Sequence, residues 1–170
     1  MDKVDKARVI TKQNRYITIA STTLDGLPWI SPVFYAYDDE YNLYWVSSKN
    51  ARHSKNIEEN PKVAIVIFNS TKGEGEGDAI YIDAEVKILV DDQEIEEGMK
   101  YYDARASKAE LKVKNPENVK GEKEWRFYKA IPKAVYKSSD KPAVVNGQYV
   151  DKRTPVKLSD LQEVMEFIKK

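Results

Sequence analysis

The stretch that decides the fold runs Leu43-Tyr44-Trp45-Val46-Ser47-Ser48-Lys49-Asn50-Ala51-Arg52-His53-Ser54-Lys55-Asn56-Ile57-Glu58-Glu59-Asn60-Pro61-Lys62-Val63. Leu43–Ser47 suits a pleated sheet, so a strand is expected there. From Lys49 to Asn60 the chain is polar and of helix length, and Pro61, which cannot continue a helix, closes it. Lys62–Asn69 follows as a β-branched run that reads as a strand buried on both faces or nearly so. A helix beginning near Asn50 leaves unpaired backbone N–H groups where Ser47, Ser48, Lys49, Arg52 and His53 also gather. Such a junction attracts phosphate through its free donors and the helix dipole. Arg52 would add charge-assisted hydrogen bonds worth ~1.5–3 kcal/mol each. Arg52 and Asn56, four apart, share a helix face, with His53 on the next one. The same cations also read as the solvated face of an ordinary surface helix.

Upstream, Tyr16–Thr22 alternates with period two and stops at Leu24-Asp25-Gly26-Leu27, where Asp-Gly supplies a tight hairpin turn. The second arm, Leu27–Tyr37, carries Pro28 and Pro32, which cannot donate to a ladder, so it must lie at an edge or contain bulges. Its free main-chain groups suit a planar heterocycle. Val4, Ala7 and Ile10 or Thr11 predict a short, weakly capped leading helix packed as a lid.

Downstream, Gly73–Asp78 reads as a solvated loop, and its glycines lack the helix start and lysine of a phosphate-binding loop. Ala79–Val90 is a long strand, and Asp91–Ala106 a helix with Ile95, Met99 and Tyr102 on one face. Ser107–Glu124, rich in Lys and Glu, is a connection and the best candidate for disorder. Trp125–Lys137 returns to strand chemistry; Trp125, Tyr128 and Tyr136 could wall a ligand pocket, but on a strand they read first as core. A small hairpin is expected around Asn146-Gly147. The last helix has Ser159 and Gln162 as a capping box and Leu161, Val164, Met165 and Ile168 as an apolar stripe. About six antiparallel strands with interposed helices predict a mainly β fold, a closed or half-closed barrel with flanking helices.

Composition narrows function. The chain has 170 residues, 28 Lys+Arg against 28 Asp+Glu, one His and no Cys. That length buries roughly 70% of the unfolded surface, enough for a core without disulfides or metal. Without cysteine, and with His53 as the single imidazole, no thiolate or multi-histidine metal site can be built. A net charge of zero argues against a nucleic-acid partner. The charged N-terminus has no signal-peptide core, and the longest apolar run, Val63–Phe68, is six residues, far short of the ~20 a membrane helix needs. A cytoplasmic protein without membrane partners is the expectation.

The quoted stretch, together with Trp29-Ile30-Ser31-Pro32-Val33-Phe34, resembles the FMN-binding split barrels related to pyridoxamine 5′-phosphate oxidase. The likeness covers about Arg15 to Val90 and the strand Trp125-Arg126-Phe127-Tyr128-Lys129. Its most specific part is the order of strand, hydroxyl residues, basic pair and Asn60-Pro61-Lys62-Val63. The resemblance implies an antiparallel split β-barrel over residues 1–140. Residues 141–170 would form an extension with a terminal helix, packed on the same domain or its partner. It also implies a homodimer with FMN between subunits. Ser31, Pro32 and Val33 would line the isoalloxazine through main-chain groups. Val46, Ser47, Ser48 and Lys49 would sit where the strand end meets the flavin, and Arg52 and His53, with Asn56 nearby, would take the places of the phosphate-holding basic pair.

The departures argue against vitamin B6 oxidation. Ala36 stands where the family's oxidases carry a substrate-binding lysine, and Phe167-Ile168-Lys169-Lys170 is unlike their arginine-containing tail. His53 replaces a more usual Lys or Arg, and an imidazole with an ordinary pKa near 6.5 is mostly uncharged at neutrality. The expected function is an FMN-dependent oxidoreductase passing electrons between a reduced nicotinamide or similar donor and a small molecule. Alternatives on the same barrel are a flavin or haem binding or sensor protein without turnover, and a deazaflavin-dependent reductase. A barrel carrying Trp29, Tyr35 and Trp45 could also stack single-stranded bases, against which the zero net charge counts. No acid–base dyad stands out, so no catalytic residue is assigned; in a flavoprotein the cofactor carries the redox chemistry.

Overall fold

The computed structural model describes residues 2–73, 77–139 and 143–162. Helix α1, Lys3–Gln13, is capped by Asp2, whose side chain accepts from the amides of Val4 and Asp5, so it is better closed than its sequence suggested. Strand β1, Tyr16–Thr22, turns through Gly26 at φ +86° into β2, Pro28–Phe34. Then come β3, Ala36–Tyr37; β4, Leu43–Ser48; α2, Arg52–Glu59; β5, Lys62–Phe68; β6, Ala79–Leu89; and α3, Asp92–Arg105. Two 3-10 turns, Ala109–Leu111 and Pro116–Val119, precede the long β7, Trp125–Ser138. The hairpin β8, Ala143–Val145, and β9, Gln148–Val150, turns on Asn146 and Gly147, both at positive φ. Strand β10, Arg153–Val156, and α4, Leu158–Gln162, complete the described chain.

The main sheet is antiparallel in the order β2-β1-β5-β6-β7-β4-β3, with β10 added to β7. Strands β2 and β3 are separated by Tyr35 alone, yet one pairs with β1 and the other with β4. One stretch of chain thus holds both ends of the sheet, and the sheet curls into a split barrel with flanking helices. Among the described residues β2 has a single hydrogen-bonded neighbour, which is how Pro28 and Pro32 are tolerated. Through β10, residues of the C-terminal extension join the main sheet.

Inside the barrel, Ile17, Ile19, Leu43, Trp45, Ile65, Ile67, Ile80 and Ile82 are buried with Tyr35 and Tyr128. Trp45 and Tyr128 stack at 5.3 Å between centroids and 7° between planes, a contact worth ~0.5–1.5 kcal/mol beyond its buried area. Ala7 and Ile10 of α1 and Ile57 of α2 join this core, and Tyr35 donates its hydroxyl to the carbonyl of Thr11 at 2.7 Å.

A second core lies outside the barrel, where Ile95 and Tyr102 of α3 pack on Tyr44, Leu89 and Phe127 with Val113 and Val119. The helix approaches closely because Gly98 has no side chain; a Cβ there would stand 2.7 Å from Tyr44 Cε1 and 2.9 Å from Phe127 Cε1.

Three further expectations change. β5 is not buried on both faces: Val63, Ile65 and Ile67 point inward while Lys62, Ala64 and Phe68 are exposed, the ordinary division of an antiparallel strand. Residues 107–124 are tied down on both sides. Asp103 accepts from the amides of Val113 and Lys114 at 2.7 and 2.9 Å, and Arg126 donates to the carbonyls of Gly121 and Lys123 at 2.6 and 2.7 Å. Ser159 lies inside α4 and is not its cap, because the helix starts at Leu158. The stripe residues Val164, Met165 and Ile168 fall outside the described residues.

Candidate functional site

The junction between β4 and α2 is positioned by β7, which pairs Ser47 with Arg126 and Ser48 with Trp125. The α2 N-cap is Ala51, without a side-chain hydrogen bond, and the first turn contains no acid. By contrast, Asp2 caps α1, Asp91 caps α3 and Asn115 caps the Pro116–Val119 turn. The first amides of α2 are therefore left for an acceptor from outside the helix.

Arg52, in that first turn, is exposed, and its guanidinium carbon lies 4.3 Å from the centroid of the Trp29 ring. Among the described residues no carboxylate pairs with it. Trp29 in turn donates its indole N–H to the hydroxyl of Ser31 at 3.0 Å. Trp29, Ser31 and Arg52 thus form one chain of contacts between β2 and α2. The sequence offered Trp29 within the family-like stretch and as a stacking aromatic; its part in holding Arg52 depends on a contact across 23 positions.

The other predicted residues divide among different environments. Ser48 and Asn50 are bound to the Glu124 carboxylate: Ser48 donates its hydroxyl, and Asn50 Nδ2 donates at 3.0 and 3.2 Å. The amide of Lys49 donates to the carbonyl of Glu124 at 2.8 Å. Those donors, the Ser48 hydroxyl foremost, hold the Glu124 carboxyl below its ordinary pKa, with Lys49 and Arg126 contributing. Glu124 was not foreseen, since only the β4–β7 pairing brings it beside Ser48.

Asn56 is buried and donates to the Ser21 hydroxyl at 3.2 Å, joining α2 to β1. Val33 belongs to the barrel core, and Ser47 is buried. Pro32 is exposed on β2, opposite Thr18. Val46 is half-buried on the outer face with the second core.

His53 is buried, and its Nε2 finds no hydrogen-bond partner among the described residues. Burial lowers its pKa, so the ring is neutral near pH 7 and supplies no cationic partner to an anion. The basic pair expected from sequence is one cation, Arg52, beside a neutral imidazole. Arg52 and the uncapped amides remain suited to a phosphate monoester, as does the exposed edge of β2 to a flat ring.

No helix among the described residues is long and apolar enough to cross a membrane, and they contain no group of three or more His, Asp or Glu able to hold a metal.

Comparison with known proteins places these observations. The family model described as pyridoxamine 5′-phosphate oxidase matches residues 4–136. No curated protein matches significantly. Among solved structures, the haem storage protein HutZ of Vibrio cholerae is similar at a TM-score of 0.65 and 17% identity, over 78% of this chain and 92% of that one. A haem-binding protein of Mycobacterium smegmatis is similar at 0.67 and 16% identity, over 96% of this chain and 61% of that one. General Stress Protein 26 of Bacillus anthracis is similar at 0.59 and 15% identity, over 92% and 100%. Identities this low carry the fold and no more.

Proposed function

Because this chain belongs to the pyridoxamine 5′-phosphate oxidase-like family, we propose that it binds FMN at the β4–α2 junction as a homodimer and serves as an oxidoreductase acting on a small molecule. The observation that carries this reading is Arg52, a cation held by stacking on Trp29 and free of any acidic partner among the described residues, at the only uncapped end of the three helices α1, α2 and α3. A phosphoryl group there would accept from the first amides of α2 and from a guanidinium able to give two parallel hydrogen bonds. Trp29 preorganises that guanidinium, and Ser31 fixes the indole. The exposed edge of β2 offers main-chain groups to a flat ring, while the Glu124 carboxylate is engaged by Ser48 and Asn50. When bound, FMN supplies the two-electron chemistry that no dyad of side chains provides.

Haem is the ligand in the names of two structurally similar proteins. It suits this junction less well, because the single imidazole turns its Nε2 into a buried site. The test is FMN titration of the apoprotein and of Arg52→Ala. Arg52→Ala should lose at least about tenfold in FMN affinity with unchanged thermal stability. Equal affinity in the two proteins sinks the assignment.

A further inference from the structure

A cleft of about 460 Å³ opens on the outer face of the barrel, between the strand ends at Val46 and Trp125 and the 107–124 segment. Its volume falls in the range of small-molecule sites. Val46, Tyr102, Val113 and Val119 give it an apolar floor, and Leu111 and Trp125, more than half exposed at 54% and 53%, flank its mouth. Lys112, Lys114 and Lys123 also line it, against one carboxylate, Glu110. None of these three ammonium groups is ion-paired among the described residues, whereas Lys120 close by is neutralised by Asp92 and Glu117. The lysine-bearing wall is fixed in place. Asp103 clamps the amides of Val113 and Lys114, and Asn118 donates to the carbonyl of Val113 at 2.9 Å.

An apolar slot flanked by an indole and rimmed with unpaired cations is selective for one class of molecule. A flat apolar body gains from burial against Val46 and Trp125, and its anionic group gains from the lysines. We propose that this cleft binds the small molecule on which the protein acts, and that this ligand is an organic anion with a flat apolar body, such as an aromatic carboxylate. Val46 and Ser48 lie on one strand, and Ser48 pairs with Trp125, so the cleft adjoins the junction assigned to FMN. The role as reaction partner rests on the flavin reading; the capacity to bind such an anion does not.

The test is calorimetric titration with 2-naphthoate and its neutral counterpart 2-naphthylmethanol. The unaltered protein should bind naphthoate at least about tenfold more tightly than the alcohol. The triple variant K112Q/K114Q/K123Q should lose that preference while still binding the alcohol. Trp125→Ala should weaken both ligands several-fold, and Arg52→Ala should leave naphthoate binding unchanged. No saturable naphthoate binding, no preference over the alcohol, or a preference that survives the triple substitution overturns the proposal. A protein that binds FMN without the lysine-dependent preference refutes the cleft alone. One that keeps the preference but takes up no FMN refutes the flavin reading alone.

Discussion

The guanidinium of Arg52 lies over the Trp29 ring at 4.3 Å, joining the edge strand β2 to the first turn of α2. An exposed cation–π contact is worth ~0.5–1 kcal/mol, enough to choose the rotamer of a long side chain but too little to hold the fold. Trp29→Leu should therefore weaken FMN binding a few-fold, less than Arg52→Ala, with little change in melting temperature. Flavin fluorescence titration beside a thermal melt measures both; a Trp29→Leu loss equal to that of Arg52→Ala would mean the indole touches the ligand directly.

The buried imidazole sets a pH dependence. Burial lowers the His53 pKa below its ordinary 6.5, so between the folded and unfolded values the unfolded chain binds a proton that the native chain refuses. The contribution is neutral above pH 6.5 and becomes increasingly destabilising as pH falls below it. His53→Gln should show a shallower fall in melting temperature from pH 7 to pH 5.5 than the unaltered protein. Parallel curves would contradict the assigned shift.

Gly98 is needed for contact, not for conformation. Alanine would gain about 1 kcal/mol of helix propensity, but its methyl would meet the rings of Tyr44 and Phe127 below 3.0 Å. Overpacking costs ~1–3 kcal/mol, so Gly98→Ala should be net destabilising by about 1 kcal/mol in urea denaturation, and a stabilised protein would show that α3 can move away from β4.

Asp103 should govern the order of the segment it clamps. Asp103→Ala removes the acceptor of the Val113 and Lys114 amides; a hydrogen bond to a charged group contributes ~1.5–3 kcal/mol, and the exposure of this pair puts it at the lower end. Hydrogen exchange across residues 107–120 should accelerate at least about tenfold while the barrel strands stay protected. Uniform protection would show that Val113 and Val119 hold the segment without it.

What could be read from the sequence follows the range of the interaction concerned. The turns at Gly26 and Asn146-Gly147, the strand alternation of β1 and β6 and the helix stop at Pro61 are encoded within a few residues, and the structure has them there. The resemblance carried by residues 43–63 gave the barrel topology that periodicity alone left between closed and half-closed. β5 misled because Ala64 and Phe68 are apolar yet face outward. At the junction, the sequence named Arg52, Ser48 and Asn50 but not the groups that contact them. Glu124 reaches Ser48, Trp29 reaches Arg52 and Asp103 reaches Val113 only through pairing of distant segments. That His53 is neutral at pH 7 was readable from an ordinary imidazole; the burial that lowers its pKa further was not.

The position of β7 bears on how the chain is made. It pairs with β4, β6 and β10 at once, although it follows most of them in order. During synthesis, β4 and β6 emerge from the ribosome with unfilled edges and wait for a strand still being translated. Until residue 138 is clear, the β2-β1-β5-β6 ladder can form but β4 has only β3 beside it, so Trp45 lacks its Tyr128 partner and Ile82 its β7 neighbour, and this is the interval in which chaperones have most to protect.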